Sequence, residues 1–403
     1  MKILHTSDWH LGHTLYNYDR TAEQQSFLRQ LTRIVTEEQP DAMVVSGDIY
    51  HYSSPAAATQ KMYTDAMLNI HQACPGMAIV VTAGNHDSSS KLEIDSSLWQ
   101  HFGLNVVGNI ERTSEEVNLN MLIIDIHKEK KTIVYGIAVP HVYPQNFPLL
   151  DTETPRDQRQ ARFFQALLDE VKKRNTAQLP VVLMAHLSIE GSDRSGHDES
   201  IGGIEYVPLS AMGEGYDYLA LGHIHCPQDI KGSHHHARYC GTPLPVSFDE
   251  TYPHSISIIE LEKGAEPQIS TREIENPIPL VTLPHDPTPF EDALKLLEEY
   301  PEEKPAYLRL NVLTKGYLPP DCNEKASNAA KGKACKYCYI KTTRERQTDT
   351  DESKPISIQE MQEMSPLEIA RLYYRETEGE EMDPELCQLM ETVMQKVKSK
   401  NNS

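Results

Sequence analysis

The chain has 403 residues, 39% hydrophobic and 24% charged, with 38 basic and 59 acidic side chains for a formal net charge of −21. No apolar run approaches the roughly 20 residues of a membrane span, the acid excess argues against tight, metal-independent binding of nucleic acid, and an odd set of seven scattered Cys fits a reducing compartment better than a disulfide framework. The length predicts two or three domains, and the strand signal that starts at Met1-Lys2-Ile3-Leu4-His5 leaves no room for a leader, so a cytoplasmic protein is expected.

In chain order, Ile3-Leu4 runs into Asp8-Trp9-His10. Thr21 with Gln24 predicts a capping box, followed by Phe27, Leu28, Leu31, Ile34 and Val35 at helical spacing, with Pro40 beyond. Met43-Val44-Val45 runs into Gly47-Asp48. Met62, Tyr63, Ala66, Met67 and Ile70 predict a second helix. The apolar run 78–81 leads to Gly84-Asn85-His86-Asp87. Runs 121–124 and 132–135 predict paired strands around the charged turn Lys128-Glu129-Lys130-Lys131. Phe163, Phe164, Leu167, Leu168 and Val171 predict a third helix. Run 181–184 leads to Ala185-His186, and Leu219-Ala220-Leu221 to Gly222-His223-Ile224-His225. A late strand is expected at 255–259. The alternation is βαβ with an antiparallel supplement.

Near Asn276-Pro277-Ile278-Pro279 the texture changes, and Pro284, Pro287 and Pro289 follow closely. This predicts a domain joint, so residues 1–275 form one domain and 276–343 a small α+β domain. The latter is expected to hold a helix at 290–300 and strands at 306–313 and 337–341. Residues 344–364 read as a linker. Residues 365–403 read as helical: Ser365-Pro366-Leu367-Glu368 combines an N-cap, a first-turn Pro and a capping-box Glu. A second helix is expected from Asp383-Pro384, with Leu386, Leu389, Met390, Val393, Met394 and Val397 along one face.

Five short apolar runs therefore each stop at Asp, Asn or His. Buried strands of an α/β sheet present ligand-binding residues outside their carboxyl ends. Two Asp, one Asn and several His at one edge suffice for two metal ions, and two metal ions point to phosphate-ester hydrolysis. Each segment alone is equally well a turn or a core His. The ordered set of five carries the signal.

The ordered segments D-x-H, G-D, G-N-H-D, x-H and G-H-x-H resemble the calcineurin-like metallophosphoesterases. The opening Ile3-Leu4-His5-Thr6-Ser7-Asp8-Trp9-His10-Leu11-Gly12, with Gly47-Asp48-Ile49-Tyr50-His51, Leu221-Gly222-His223-Ile224-His225 and Gly241-Thr242-Pro243, is similar to the nuclease branch of that family. The likeness is dense over 1–250 and only architectural afterwards. It implies a four-layer α/β sandwich of two mixed sheets flanked by helices, with a small capping domain and C-terminal helices. It also implies a ligand set: Asp8, His10, Asp48 and His225 for one metal, and Asp48, Asn85, His186 and His223 for the other, with Asp48 bridging. The donors are all O or N, which favours Mn²⁺ or a similar ion, and the family uses Mn²⁺. By the same resemblance His86 acts on the phosphate as an acid or transition-state contact, and His51 contacts the substrate phosphate. The function implied is a DNA nuclease working with a coiled-coil ATPase that binds the C-terminal helices, as a homodimer within a heterotetramer. Its implied activities are ATP-dependent 3′-to-5′ action on double-stranded ends and cutting of single strands and hairpins, in repair, recombination and replication. The helix around 62–70 could form the homodimer interface.

Other readings stay open at this level. A phosphodiesterase for cyclic nucleotides or other small esters would use the same site, and a scaffold that tethers DNA ends would use the extra domains. The segment 191–203, with Asp193, Arg194, His197 and Gly202-Gly203, either flanks the substrate or is a solvated loop. Cys335-x-x-Cys338 with Cys322 lacks a fourth zinc ligand and is read as surface cysteines. His234-His235-His236 is read as a hairpin tip.

Overall fold

The computed structural model describes residues 1–112, 117–151, 153–196, 206–262, 264–344, 365–378, 382–383 and 386–390. Residues 1–344 form one compact unit and 345–403 another.

The first sheet contains β1 (Lys2–Thr6), β2 (Ala42–Ser46), β3 (Ala78–Thr82), β4 (Leu104–Val107), β11 (Ser255–Glu260) and β12 (Gln268–Glu273). Its order is β12-β11-β1-β2-β3-β4, with β1 to β4 parallel, β11 antiparallel to β1 and β12 antiparallel to β11. The second sheet contains β5 (Ile123–Lys128), β6 (Lys131–Ala138), β7 (Val181–His186), β8 (Tyr218–Gly222), β9 (Gln228–Asp229) and β10 (Ala237–Tyr239), in the order β5-β6-β7-β8-β10-β9. It is also mixed.

Strand periodicity builds the layers. In β1 to β3, Ile3, Ala42, Val44 and Val80 join the apolar core shared with the second sheet. Their neighbours Leu4, Met43, Val45, Ile79 and Val81 join the opposite core. Successive residues of a strand point to opposite faces, so a strand apolar at every position needs cover on both sides. Helices α1 (Thr21–Glu38) and α2 (Ala57–Ala73) supply it on the outside, burying Phe27, Leu31, Val35, Tyr63, Met67 and Ile70. Helix α5 (Arg159–Arg174) covers the second sheet with Phe163, Phe164, Leu167, Leu168 and Val171. The result is the expected helix–sheet–sheet–helix sandwich. Two single-turn helices, α3 (Ser89–Leu92) and α4 (Ser96–Trp99), lie between β3 and β4.

A third sheet of parallel strands contains β13 (Leu280–Thr288), β14 (Tyr307–Thr314) and β15 (Lys336–Arg344), crossed over by α6 (Phe290–Glu298) and α7 (Cys322–Ala330). It has its own core, including Phe290, Leu294, Leu297, Leu308, Leu310, Val312, Cys322 and Cys335. It is held to the sandwich through Arg309, whose guanidinium lies 5.2 Å from the Phe248 ring and 5.9 Å from the Tyr339 ring and pairs with Asp249 at 2.7 Å. Tyr307 adds a 2.6 Å hydrogen bond to the Glu23 carboxylate of α1.

Three local expectations are corrected. The Thr21/Gln24 capping box does not form: Thr21 Oγ1 donates to Asp19, while Gln24 Nε2 donates to the carbonyls of His10 and His13. Gln24 thus serves the loop after β1 rather than its own helix end. The proline-rich joint contains strand β13, because an edge strand accepts Pro where a central one cannot and its register shifts between Leu283 and Thr288. Between the two expected strands at 306–313 and 337–341, where no helix is expected, residues 322–330 form α7, which buries only the small Cys322, Ala326 and Ala330 and so lacks a strong apolar stripe.

In the second unit, α8 (Pro366–Glu378) begins with the expected capping box. Ser365 N–H donates to the Glu368 carboxylate at 2.7 Å and Glu368 N–H to Ser365 Oγ at 3.3 Å. Residues 386–390 are helical. The expected linker from 345 onward, Pro384, and the stripe residues Val393, Met394 and Val397 lie outside the described residues.

Candidate metal centre

Each site residue sits where a parallel strand ends. Asp8 and His10 follow β1, Asp48 and His51 follow β2, and Asn85 and His86 follow β3. His186 ends β7, and His223 and His225 follow β8. The loops after β1 and β2 stay paired: Asp8 N–H donates to Gly47 O and His10 N–H to Asp48 O, both at 3.0 Å.

The side chains converge on the Asp48 carboxylate. Its Oδ2 lies 3.8 Å from His10 Nε2 and 3.5 Å from His186 Nε2, while Oδ1 accepts the His86 N–H at 2.9 Å. Asn85 Oδ1 lies 2.9 Å from His186 Nε2 and 3.0 Å from His223 Nδ1. His10 Nε2 and His225 Nε2 are 3.3 Å apart. Asp8 accepts the His223 N–H at 3.1 Å. The donor atoms of Asp8, His10 and His225, and those of Asp8, Asp48 and His186, lie within 4.8 Å of one another. Two ligands about 2.1 Å from one ion and at right angles sit about 3 Å apart, so the donor atoms already have the spacing that divalent cations take.

Three further observations fit cations here. First, the imidazoles are oriented from behind. His186 Nδ1 lies 2.8 Å from Ser46 O and His225 Nδ1 lies 3.1 Å from Glu250 Oε1, the arrangement that fixes a metal-binding imidazole. Second, Asp8, His10, Asp48 and His223 all have positive φ, at 52, 45, 51 and 100°. Strained backbone of this kind persists where the surroundings over-determine it and gathers at functional sites. Third, the glycines are required by contact. A Cβ at Gly84 would lie 2.1 Å from Asp48 Oδ1, and one at Gly222 would lie 1.8 Å from Ser46 O.

The electrostatics follow from burying many imidazoles around two carboxylates. Burial raises Asp8 to about 6, with Asp48 adding to the rise. Burial also disfavours the charged Asp48, but the charge and hydrogen bond of His186 overcome it and hold the carboxyl well below its usual value. Burial keeps His10 neutral and lowers His51 to about 4. Against its own burial, His186 is raised to about 9 by Asp48. Without a cation, a proton on His186 balances Asp48; a cation takes over that charge.

All seven expected ligand residues are thus brought together, with His51 and His86 beside them. His51 Nδ1 lies 3.4 Å from His10 Nδ1, and His86 Nδ1 lies 2.9 Å from His51 O. In the loop, Asp193 N–H donates to Gln228 Oε1 and the Arg194 guanidinium to the Tyr206 hydroxyl, while His197, Gly202 and Gly203 lie outside the described residues. His234 to His236 form the tip of the β9–β10 hairpin as expected. The expectation of surface cysteines is corrected: Cys322 and Cys335 are buried in the core of the third sheet, where small thiols pack as apolar groups, and Cys338 is half-buried against a separate apolar cluster.

Sequence reasoning missed four residues. Asp87, quoted within its motif but given no role, accepts N–H groups of Ile49, Tyr50 and Gly84 at 2.8–3.1 Å and so ties the β2 and β3 loops together. His141 follows β6 and places Nδ1 3.0 Å from His186 O; its apolar lead Ile137-Ala138-Val139 gave the same signal as the other five segments. His13 packs against His51 with ring centroids 4.6 Å apart. Glu250, which orients His225, follows no strand and gave no signal. Replacing it should loosen His225: Glu250→Ala is expected to weaken Mn²⁺ binding to the metal-stripped chain about 10- to 100-fold by titration calorimetry, and unchanged affinity would remove Glu250 from the site.

Comparisons with known proteins agree with this geometry. Residues 1–227 match the family model described as calcineurin-like phosphoesterase, and residues 276–378 match the model described as type 5 capsule protein repressor C-terminal domain. The chain is 32% identical over 309 residues to the D subunit of the SbcCD nuclease of Rhodobacter capsulatus, covering 74% of this chain and 75% of that one. It is 26% identical over 394 residues to the protein of the same name from Escherichia coli K12, covering 95% and 94%. It is 32% identical over 273 residues to that of Bacillus subtilis, covering 66% and 68%. Strand-end ligands, a two-sheet sandwich and these similarities place the chain in the calcineurin-like phosphoesterase family, in the branch formed by the D subunits of SbcCD nucleases.

Proposed function

We propose that this chain is the DNA nuclease subunit of an SbcCD-type complex, hydrolysing phosphodiester bonds with two divalent cations, Mn²⁺ in the first instance. The observation that carries the reading is the Asp48 carboxylate, one oxygen of which faces both His10 and His186. In this reading Asp8, His10, Asp48 and His225 hold one cation, and Asp48, Asn85, His186 and His223 the other. Cations so held lower the pKa of a bound water and stabilise charge on the attacking and leaving oxygens.

The chain's own residues do the rest. His86 packs its ring edge-on to His10 at 4.9 Å and stacks with His51 at 5.2 Å. His86 Nδ1–H donates a hydrogen bond to the His51 carbonyl at 2.9 Å, so any proton that His86 gives to a leaving oxygen departs from Nε2. His51 contacts the substrate phosphate beside it. A small-ester phosphodiesterase would need only the sandwich; the relatives' shared name and the 276–378 match favour the nuclease.

The remaining assignments complete the proposal. Residues 1–275 are the nuclease domain, and 276–343 cap the site and help select DNA. Residues 344–364 link to 365–403, whose helices bind an SbcC-type coiled-coil ATPase. With that partner the chain acts on double-stranded ends from 3′ to 5′, and on hairpins and single strands, as a homodimer within a heterotetramer. It works in the cytoplasm on nucleoid DNA in repair, recombination and replication. Among the described residues no helix is long and apolar enough to cross a membrane.

Cleavage of a labelled DNA hairpin in Mn²⁺, with the ATPase present, tests the chemistry. Asp48→Ala should abolish cutting, and His86→Ala should lower it about 10²- to 10⁴-fold; near-full activity of His86→Ala would refute its role. Hydrolysis of bis-p-nitrophenyl phosphate without any DNA cutting would move the assignment to a small-ester enzyme. A chain ending before Ser365 should no longer pull down the ATPase, and equal capture by both chains would refute the assignment of the C-terminal helices.

A further inference from the structure

Aromatic rings run in a row through the site. Tyr52 lies 4.6 Å from His51 between centroids, and His51 lies 5.2 Å from His86 and 5.4 Å from His10. Past the carboxylates, His186 and His223 lie 5.2 Å apart, and His141 lies 5.8 Å from one and 6.3 Å from the other. Tyr143 ends the row, 4.9 Å from His141. Tyr52 follows β2 of the first sheet and Tyr143 follows β6 of the second, so the two phenols are carried by different sheets, one beside His51 and the other beside His141. They are 53% and 56% exposed, although the rings they adjoin are largely covered.

Large exposed rings at both rims of a phosphate-handling site invite a planar occupant. Bases inside a continuous duplex have both faces occupied by neighbours, and only unpaired bases can stack on a side chain. Charge points the same way. With 59 acidic against 38 basic residues, the chain is poorly suited to gripping a long duplex by neutralising phosphates, whereas stacking does not depend on net charge.

We propose that Tyr52 and Tyr143 are stacking platforms for unpaired bases on either side of the scissile phosphate, and that they set a preference for single-stranded or frayed DNA at this site. The proposal rests on the nuclease reading above. A base–aromatic stack is worth about 1–3 kcal/mol, which is roughly 5- to 150-fold in affinity.

The test is binding of a labelled, cleavage-resistant phosphorothioate strand to the full chain in Mn²⁺, beside a blunt duplex of the same length. Tyr52→Leu and Tyr143→Leu should each weaken strand binding about fivefold or more, and the double variant further. Tyr→Phe at either position should restore it, and duplex binding should change little. Strand binding by the Leu variants equal to that of the unaltered chain would overturn the proposal and leave the nuclease reading intact; a protein partner covering these rings would give that result. Equal losses for strand and duplex, or a loss in the Phe variants as large as in the Leu variants, would also overturn it. If the unaltered chain binds no DNA even with its ATPase, the nuclease reading itself fails.

Discussion

The site exists because two sheets touch at their strand ends. Ser46 closes β2 of the first sheet, and its Oγ donates to Ala220 O of β8 in the second at 3.1 Å. Its carbonyl accepts from His186 Nδ1 at the end of β7 and lies where a Cβ on Gly222 would fall, at 1.8 Å. This approach admits no side chain at Gly222. It brings Asp48, two residues beyond Ser46, into reach of the His186 imidazole of the opposite sheet. Packed interiors have little room to give, so the distance between the sheets fixes the distance between carboxylate and imidazole. Positive φ at Asp8, His10, Asp48 and His223 is the local cost of turning each side chain back toward that meeting point.

The same frame ties the third sheet to the site through three consecutive residues. Phe248 offers its ring and carbonyl to Arg309 of β14, Asp249 pairs with Arg309 and Lys341, and Glu250 turns inward to His225 and to Thr242 Oγ1 at 2.8 Å. The third sheet is therefore bonded to the same loop that carries Glu250 to His225. Tyr307 and Glu23 make a second tie, and Gln24 next to Glu23 braces the loop carrying His10. The sheet is thereby linked to both loops that bring His10 and His225 together.

Much of this was legible in the sequence because strand ends announce themselves. A single β-rich apolar run stopping at Gly-Asp or Gly-His is equally well a turn, but five such runs in order point to one sheet edge, and all seven expected ligand residues follow from that ordered set or from resemblance. The helices α1, α2 and α5 were legible from period 3.6. What was not legible depended on neighbours distant in sequence. Glu250 owes its role to His225, 25 residues away, and Gln24 is drawn from the helix cap by two loop carbonyls. Strand β13 was hidden by prolines that only an edge position tolerates, and α7 by a buried face of one Cys and two Ala. His141 obeys the same rule as the other ligand segments, but the apolar run 132–135 stops short of the last residues of its strand.

The central claim is that Asp48 lies between two cations. The most direct measurement is anomalous diffraction from crystals of the full chain grown with Mn²⁺. The account predicts two peaks about 3.5–4 Å apart, one beside His10 and His225 and the other beside Asn85, His186 and His223, with an Asp48 oxygen between them. A single peak, or peaks that leave Asp48 outside coordination distance, would contradict it.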